Sequence, residues 1–461
     1  MKKFFLFFLF FFILIISLFF FAFHQFSNNT DLFLKYKEYI PSKNRIIFRS
    51  VVVKVNSLFT KQKKEYIFTK RSKIILNKGN FNKKLTLYNN PSLNFLGPRA
   101  YFASDDENLF LITGTGVLLV NKIDNLDTNK EFFKFVTINS NIEDYLAEYK
   151  KNADVFFTST VKGILVREDK IFISIIQKFK NRYNNNTKKF EECFKHAILK
   201  GDLNTNDINF DNFFTVDDCR VSYNDYVGGT LADFKNNKIL YTVGDFSVCE
   251  DLAYIKPNET KYCEDNNAQI MESALGKIFE INVDNGKSDI ISLGHDNPQG
   301  LYYDKINDVI ISTEHGPQGG DEININRSPS KNNLKNYGYP ISSYGEHYGF
   351  PDSSALFKYK NAPLHKSHKK YGFVEPIDFF VPSIGISKVV LFKDQLLIGS
   401  MGNDVDEGDL SLHVYDINKK FEISNHNVLT LNQRVRDIYI VNKSNKVLLF
   451  LESNSSIGIL E

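Results

Sequence analysis

The chain has little charge imbalance, few cysteines and almost no helical periodicity, and each shortage excludes a class of protein. Its 57 Lys and Arg nearly balance 54 Asp and Glu, leaving a net charge of +3 on 461 residues. No basic face is visible, so nucleic acid is not expected as a partner. The four cysteines form no C-x-x-C pair and no Cys/His spacing that suits zinc. Only residues 144–153 suit a short helix, which argues against a helical bundle.

Long apolar runs are confined to the N-terminus. Residues 4–23 are apolar except for Ser17, follow Lys2 and Lys3, and precede no further Lys or Arg until Lys35. This length matches the roughly 20 residues of a bilayer span and exceeds the roughly 7–15 residues of a signal-peptide core. The positive-inside bias places the following chain outside the cytoplasm. We interpret residues 1–26 as a transmembrane signal-anchor helix, with a cleaved signal peptide as the alternative. The protein is then membrane-anchored or secreted, and periplasmic or otherwise extracytoplasmic.

The cysteines cluster in one stretch, at Cys193, Cys219, Cys249 and Cys263. An even, clustered set in an exported protein predicts disulfides. Pairing Cys193 with Cys219 and Cys249 with Cys263 is the most economical of the three arrangements, and all three stay open.

Six hairpin units follow the N-terminal segment. Each has an apolar run, a charged or Asn-bearing turn and an alternating apolar run, which is the signature of a β-hairpin. The second runs begin at residues 109, 171, 239, 309, 396 and 447.

A repeat of roughly 60–70 residues predicts an all-β, six-bladed propeller with four-stranded blades. A β-sandwich would show turns every 8–12 residues or so, without the longer period. A string of small β domains would need linkers, and none is visible. We assign the propeller to residues 90–461. Residues 27–89 form an N-terminal extension, in which we expect a strand that completes the last blade.

One segment combines carboxylates with a Gly-Pro turn. Glu314, Gly316, Pro317, Asp321 and Glu322 lie within nine residues, and carboxylate and carbonyl oxygens suit Ca²⁺. A solvated acidic turn is the alternative. The aromatic turn at 336–340 follows and could wall a pocket.

Three motifs resemble the glucose/sorbosone dehydrogenase family: GHDNPQGL at 294–301, STEHGPQGGDEIN at 312–324 and NYGYP at 336–340. Weaker likenesses occur at 228–231, 242–245, 381–384 and 434–437, in the family's order. The resemblance implies an exported six-bladed propeller similar to the soluble aldose sugar dehydrogenases. Many members oxidise sugars with pyrroloquinoline quinone (PQQ) and Ca²⁺.

The chain departs from the family pattern at the catalytic positions. Tyr226 stands where the family has its basic His, and Thr230 and Asp296 each stand where it has Arg. No Lys follows the strand end at Gly402. A Tyr, with a pKa near 10, is a weak base at neutral pH, and an anion at 296 would repel a reduced quinol.

The resemblance still assigns roles by position. The catalytic positions are Tyr226, Asp245 and Asp296. The cofactor-binding positions are Asn297, Gln299, Arg434 and Arg436. The Ca²⁺ positions are Gly316, Pro317, Asp321, Glu322 and Tyr337. Architectural roles compete for several of these, including a blade-closing Arg436–Asp437 ion pair. His295 and His315 flank the site as substitute bases.

Two functions follow from this pattern. The first is a PQQ-dependent dehydrogenase-like protein that oxidises a sugar or alcohol outside the cytoplasm with altered catalytic residues. The alternative is a non-catalytic Ca²⁺-binding propeller that binds a glycan, an envelope component or a protein. A Ca²⁺-dependent propeller lactonase has no independent motif here.

Overall fold

The computed structural model describes residues 65–90, 93, 99–150, 160–184, 189–220, 227–246, 267–316, 319–345, 367–402 and 409–461. These ranges hold 28 strands and one α-helix, α1 (Ile142–Lys150), so the described chain is nearly all β. Short 3-10 turns occur at Ile123–Asn125, Asn267–Gln269, Lys331–Asn333, Lys369–Tyr371 and Asn442–Ser444. The predicted anchor at residues 1–26, together with Tyr226, Pro317, Cys249 and Cys263, lies outside the described residues. Within them, no helix is long and apolar enough to cross a bilayer.

The strands form six antiparallel blades, named here in chain order. Blade 1 consists of β3 (Ala100–Ser104), β4 (Asn108–Thr113), β5 (Leu118–Lys122) and β6 (Phe132–Thr137). Blade 2 consists of β8 (Val161–Arg167), β9 (Lys170–Asn184), β10 (Lys189–Asp202) and β12 (Phe210–Thr215). Blade 3 consists of β13 (Gly228–Phe234), β14 (Lys238–Val243), β15 (Lys277–Asn282) and β16 (Ser288–Leu293).

Blade 4 consists of β17 (Asn297–Asp304), β18 (Val309–His315), β19 (Asp321–Arg327) and β21 (Asp378–Phe380). Blade 5 consists of β22 (Ile386–Phe392), β23 (Gln395–Ser400), β24 (Ser411–Ile417) and β25 (Ile423–Thr430). Blade 6 consists of β26 (Val435–Val441), β27 (Lys446–Leu451), β28 (Ser456–Leu460) and the N-terminal strand β2 (Phe81–Asn89). The pair β7 (Asn139–Ser140) and β11 (Asp207–Ile208) forms a separate ribbon, and β20 (Lys335–Asn336) extends blade 3.

The blades close into a ring. The inner strands β3, β8, β13, β17, β22 and β26 contact one another in that order, and β26 contacts β3. The N-terminal strand β2 pairs with β28, and β1 (Glu65–Lys78) pairs with both β2 and β6. Blades 6 and 1 therefore share one continuous sheet at the closure.

Six apolar clusters hold the ring together, one between each pair of neighbouring blades. Between blades 3 and 4, for example, Phe234 and Leu240 pack against Leu301 and Tyr303. Corresponding clusters fill the other five interfaces. The second strands of the blades, such as β4 and β27, bury residues on both faces, so their sequences are apolar runs that follow polar turns.

Buried hydroxyl groups add polar links between successive blades. Ser174 donates to the Gly229 carbonyl at 2.5 Å, and Thr313 donates to the Ser387 carbonyl at 2.5 Å. The close approach of blade 5 requires Gly300, since a Cβ there would lie 1.9 Å from Thr313 Oγ1 and 2.5 Å from the Ser387 carbonyl oxygen of blade 5.

Five of the six inner strands contain a bulge near their start. The ladder to the second strand skips one or two residues there, as bulges do. The skipped residues are Lys162 in β8, Gly229 and Thr230 in β13, Gln299 in β17, Ser387 and Lys388 in β22, and Arg436 in β26.

The predicted Cys193–Cys219 disulfide is present. It joins β10 to the segment after β12, where Phe194 and Arg220 also form a β-bridge. The second predicted pair lies outside the described residues.

Candidate functional site

Several of the sequence-predicted site residues that the structure describes lie at the end of the ring where the inner strands begin. Asn297 opens β17 and pairs with His315, the last residue of β18, and Gly316 follows. Asp245 follows β14, and its backbone N–H donates to the Asp296 carbonyl at 2.9 Å. Arg434 immediately precedes β26. We refer to this end as the axial face.

Asn297 links two blades at the axial face. Its side-chain oxygen accepts hydrogen bonds from the Gly228 N–H at 2.9 Å and from Gln299 Nε2 at 2.7 Å. Gly228 lies two residues after the predicted catalytic position 226. The contacts of the Asn297 oxygen therefore tie the start of β13 to the start of β17.

His295 is held inside a buried network. Its Nδ1 lies 3.0 Å from Glu314 Oε1, and its Nε2 lies 2.8 Å from Ser292 Oγ. Glu314 also accepts from the Asp296 N–H at 3.0 Å and from Asn324 Nδ2 at 2.7 Å. Because both ring nitrogens of His295 have partners, we assign it a structural role and not that of a base.

His315 lies among charged groups at the axial face. Burial lowers its pKa, Asp321 opposes that effect, and the positive charges of Arg436 and Arg434 reinforce it. Of the two histidines, His315 is therefore the one within electrostatic reach of the arginines.

Three arginines surround one carboxylate, and we call Arg99, Arg434, Arg436 and Glu452 the arginine cluster. Glu452 Oε2 accepts from Arg436 Nε, and Glu452 Oε1 lies 3.4 Å from Arg434 Nε. The charges of Arg436, Arg434 and Arg99 lower the pKa of Glu452 to about 2, against the raising effect of its burial. The cluster carries more positive than negative charge. The side chain of Arg434 is 24% exposed, so it can meet a ligand.

The prediction of an Arg436–Asp437 ion pair was wrong, because Arg436 pairs with Glu452, which immediately follows the next strand, β27. Asp437 does help to close the ring, since its carboxylate accepts from the Phe102 N–H of blade 1 at 2.8 Å. Burial raises the pKa of Asp437 to about 6, and the Lys388 charge opposes that shift.

Asp321 and Glu322 have separate structural partners. Asp321 is fully buried and accepts from Ser383 Oγ at 2.8 Å, from the Ile384 N–H at 3.1 Å and from the Ile386 N–H at 2.9 Å. Glu322 lies 3.0 Å from His368 Nε2. Successive side chains of a strand point to opposite faces, so these two carboxylates do not converge.

Asp321 and Glu322 therefore each have protein partners, and the Ca²⁺ site that the sequence predicts at them stays a prediction. Among the described residues, no three His, Cys, Asp or Glu side chains form a group that could hold a metal. Tyr337 is buried with its ring 4.9 Å from that of His295, and its hydroxyl has no hydrogen-bond partner within the described part of the chain. A Ca²⁺ site at Gly316 and Pro317 stays a prediction.

Sequence reasoning missed Arg99 and Glu452. Arg99 precedes the inner strand of blade 1 as Arg434 precedes that of blade 6, so the equivalent blade position was the available signal. Glu452 follows β27, where the sequence alone predicts a turn and gives no sign of an ion pair.

A match to a family model shows which family the chain belongs to. The family model described as Glucose / Sorbosone dehydrogenase matches residues 177–460, which is more than half of the chain. The chain belongs to the glucose/sorbosone dehydrogenase family. The propeller expected from the repeat agrees with this assignment.

Two relatives of this dehydrogenase-family chain have names that state an activity. Quinoprotein glucose dehydrogenase B of Acinetobacter calcoaceticus is 32% identical over 164 residues, covering 32% of this chain and 32% of that protein. Aldose sugar dehydrogenase YliI of Escherichia coli (strain K12) is 29% identical over 162 residues, covering 33% of this chain and 38% of that protein. The matched segments span well under half the length of these relatives.

A solved structure supports the architecture of the family member. A crystal structure of glucose dehydrogenase superposes with a TM-score of 0.55 at 16% identity, covering 85% of this chain and 99% of that one. At this identity the likeness concerns the fold alone.

Proposed function

We propose that this protein is a quinoprotein-type sugar dehydrogenase that binds an acidic quinone of the PQQ class at its axial face. The arginine cluster carries the proposal. PQQ is a tricarboxylate, and guanidinium groups bind carboxylates through paired, charge-assisted hydrogen bonds. Three arginines around a single carboxylate leave positive charge for such a ligand.

The residues present fit the acidic part of the cofactor. Arg434 and Arg99 are the two partly exposed arginines of the cluster, so these two would hold carboxylates. Arg436 is buried against Glu452 and would act by keeping the cluster in place. When bound, the quinone supplies the hydride acceptor. We propose His315 as the imidazole that takes a proton from a sugar hydroxyl, because it lies within electrostatic reach of the arginine cluster.

We also propose that the propeller works outside the cytoplasm, anchored or secreted through residues 1–26. The apolar run and its lysines support this location. The Cys193–Cys219 disulfide adds support, because such bonds persist mainly in oxidising compartments.

One observation favours the alternative of a non-catalytic propeller. Asp296 is buried at the axial face, and a negative charge on its carboxylate would oppose the charge of a reduced quinol bound there. A propeller that binds a neutral glycan would tolerate this charge.

The test uses the full-length chain in mild detergent with PQQ, in the presence and absence of Ca²⁺. We expect a bound-quinone absorption spectrum at micromolar PQQ and dye reduction with aldoses. Arg434→Gln should weaken PQQ binding by roughly tenfold or more, the loss expected for one charge-assisted hydrogen bond. Arg327→Gln is the matched control, because Arg327 is exposed at the far end of β19 and donates to the Lys420 carbonyl.

Three results separate the alternatives. PQQ binding without turnover would support the non-catalytic reading of the site. Absence of quinone binding to the wild-type chain would overturn the cofactor assignment. Equal weakening by Arg434→Gln and Arg327→Gln would remove the arginine cluster from the argument.

A further inference from the structure

The sheet that joins blades 6 and 1 exposes apolar side chains on its outer face. In β6 the exposed Phe132 and Val136 alternate with the buried Phe133 and Phe135, and in β1 the exposed Ile67 lies between buried aromatic residues. The exposed fractions of Ile67, Phe132 and Val136 are 52%, 57% and 40%. We call these three residues the outer apolar patch.

The strand register brings the members of the outer apolar patch together. Ile67 of β1 lies opposite Lys134 of β6, and Phe132 and Val136 lie two residues to either side of Lys134. Diagonal neighbours across an antiparallel pair share one face and lie about 7–8 Å apart. Lys134 pairs with Glu65 at 2.8 Å, so the charges between the apolar side chains neutralise each other. The patch is therefore one continuous surface.

The strand that carries Ile67 is basic. β1 contains four Lys or Arg and a single acid, Glu65. Lys70 pairs with Glu131, whereas Arg71 and Lys73 are exposed and make no ion pair within the described ranges. Positive charge therefore lies on the same strand as the outer apolar patch.

The near-neutral balance of the whole chain hides a strong charge asymmetry. Residues 24–78 contain thirteen Lys or Arg and three Asp or Glu, a surplus of ten positive charges, whereas the whole chain has a surplus of three. The rest of the chain is therefore net acidic. A basic segment beside an acidic body is typical of a chain that meets an anionic surface through that segment.

The position of β1 in the chain favours a bilayer as that surface. β1 is the first element of the described chain, and residues 24–64 connect it to the apolar run at residues 4–23. A bilayer that holds this run is therefore close, along the chain, to the outer apolar patch. Exposed apolar side chains beside Lys and Arg are what an interfacial membrane site requires.

Two other occupants suit the charges less well. A second copy of the chain, bound by the same face, would place the exposed Arg71 and Lys73 of the two copies against each other. The connecting segment at residues 24–64 contains nine Lys or Arg and two acids, so it would also bring cations to cations. Anionic lipid headgroups supply the opposite charge.

We propose that the outer apolar patch and the exposed cations of β1 dock the propeller onto a bilayer that contains anionic phospholipid. Ile67, Phe132 and Val136 enter the boundary between headgroups and acyl chains, while Arg71 and Lys73 contact headgroup phosphates. The inference rests on the membrane anchor proposed above and is independent of quinone binding. It makes the sheet that closes the ring the membrane-facing part of the propeller.

The experiment uses a single indole, because the chain has no tryptophan. Full-length Phe132→Trp is placed in nanodiscs of phosphatidylcholine and phosphatidylglycerol, with and without dibrominated phospholipid, which quenches an indole that contacts its acyl chains. We expect the brominated lipid to remove most of the emission. Ile306→Trp is the control and should keep its emission, because Ile306 is 92% exposed in blade 4, three blades away from blade 1 in the ring.

A second comparison tests the contribution of charge. In the Phe132→Trp background, Lys73→Gln should lower the ratio of docked to undocked protein about fivefold on anionic nanodiscs, the effect of one cation near such a surface. On nanodiscs of phosphatidylcholine alone it should change little. Lys287→Gln is the matched control, because Lys287 is an exposed lysine at the turn between β15 and β16 of blade 3.

The outcomes separate docking from anchoring. Equal quenching of Phe132→Trp and Ile306→Trp in a chain that stays with the nanodiscs would overturn docking and leave the anchor in place. Emission of Phe132→Trp that shifts with protein concentration but is not quenched would assign the patch to a second copy and overturn the proposal. A chain that separates from the nanodiscs would overturn both proposals. Equal effects of Lys73→Gln and Lys287→Gln would remove the cations of β1 from the site.

Discussion

Replacing Glu452 with glutamine removes the carboxylate that pairs with both Arg434 and Arg436. The residue is buried, and its pKa of about 2 compares with an ordinary value of 4.5. A shift of this size corresponds to roughly 3 kcal/mol of stability at neutral pH, at about 1.4 kcal/mol per pKa unit. Loss of one partner from a buried ion pair typically costs a similar amount, about 3–5 kcal/mol. We therefore expect Glu452→Gln to destabilise the propeller by about 3 kcal/mol at pH 7.

The pH dependence of this loss has a defined sign. A carboxylate whose folded pKa is depressed contributes its stability above its unfolded pKa and loses it as the pH falls through the folded value. The difference between wild type and Glu452→Gln should be complete above pH 4.5 and should shrink as the pH falls from 4.5 towards 2. Urea-unfolding midpoints at several pH values measure it. Far-UV circular dichroism is the suitable probe, because the chain has no tryptophan.

Glu131→Gln is the control for this experiment. Glu131 is 79% exposed and pairs with Lys70 on the surface, where such a pair contributes about 0–1 kcal/mol. A Glu452→Gln variant as stable as Glu131→Gln at pH 7 would refute the reasoning. A difference from wild type that does not change between pH 7 and pH 3 would show that packing, not charge, is what the substitution disturbs.

Three further predictions concern the architecture. Replacing Cys193 and Cys219 together with serine should lower stability by about 3 kcal/mol, because the bond closes a 26-residue separation; urea midpoints that match wild type would contradict this. Gly300→Ala should prevent normal folding, because the new Cβ would lie 1.9 Å from Thr313 Oγ1. Gly372→Ala is the control: its Cβ would meet nothing within 4 Å, and the left-handed backbone there should cost only about 1–2 kcal/mol. Equal unfolding temperatures of the two variants would contradict this prediction. Asp321→Asn should lower the unfolding temperature by the same amount in EDTA and in Ca²⁺, because the Asp321 carboxylate accepts hydrogen bonds from protein donors. A smaller loss of stability in Ca²⁺ than in EDTA would instead support a metal site.

The repeat was readable from the sequence because each second strand is an apolar run after a polar turn. The predicted starts at 109, 171, 239, 309, 396 and 447 fall within one residue of the observed starts of β4, β9, β14, β18, β23 and β27. These strands are buried on both faces, so burial selects their composition directly. The short predicted helix at 144–153 corresponds to α1 at Ile142–Lys150.

The site was less predictable because it depends on register and on contacts between distant strands. Arg436 lies at a bulge of β26, between Val435 and Asp437, and no local pattern marks such a bulge. Arg436 and Asp437 are adjacent in sequence and suggested an ion pair, yet they belong to different networks. The sequence therefore identified candidate residues but not the partners that each of them takes in the folded chain.

The pairing of β2 with β28 has a consequence for how the molecule is made. These strands lie near the two ends of the described chain, and they are hydrogen-bonded to each other in blade 6. Until β28 has been synthesised, β2 and β27 each present an unpaired strand edge, which is the kind of surface that aggregates. Ring closure must also bring together segments of large sequence separation, a slow step in folding.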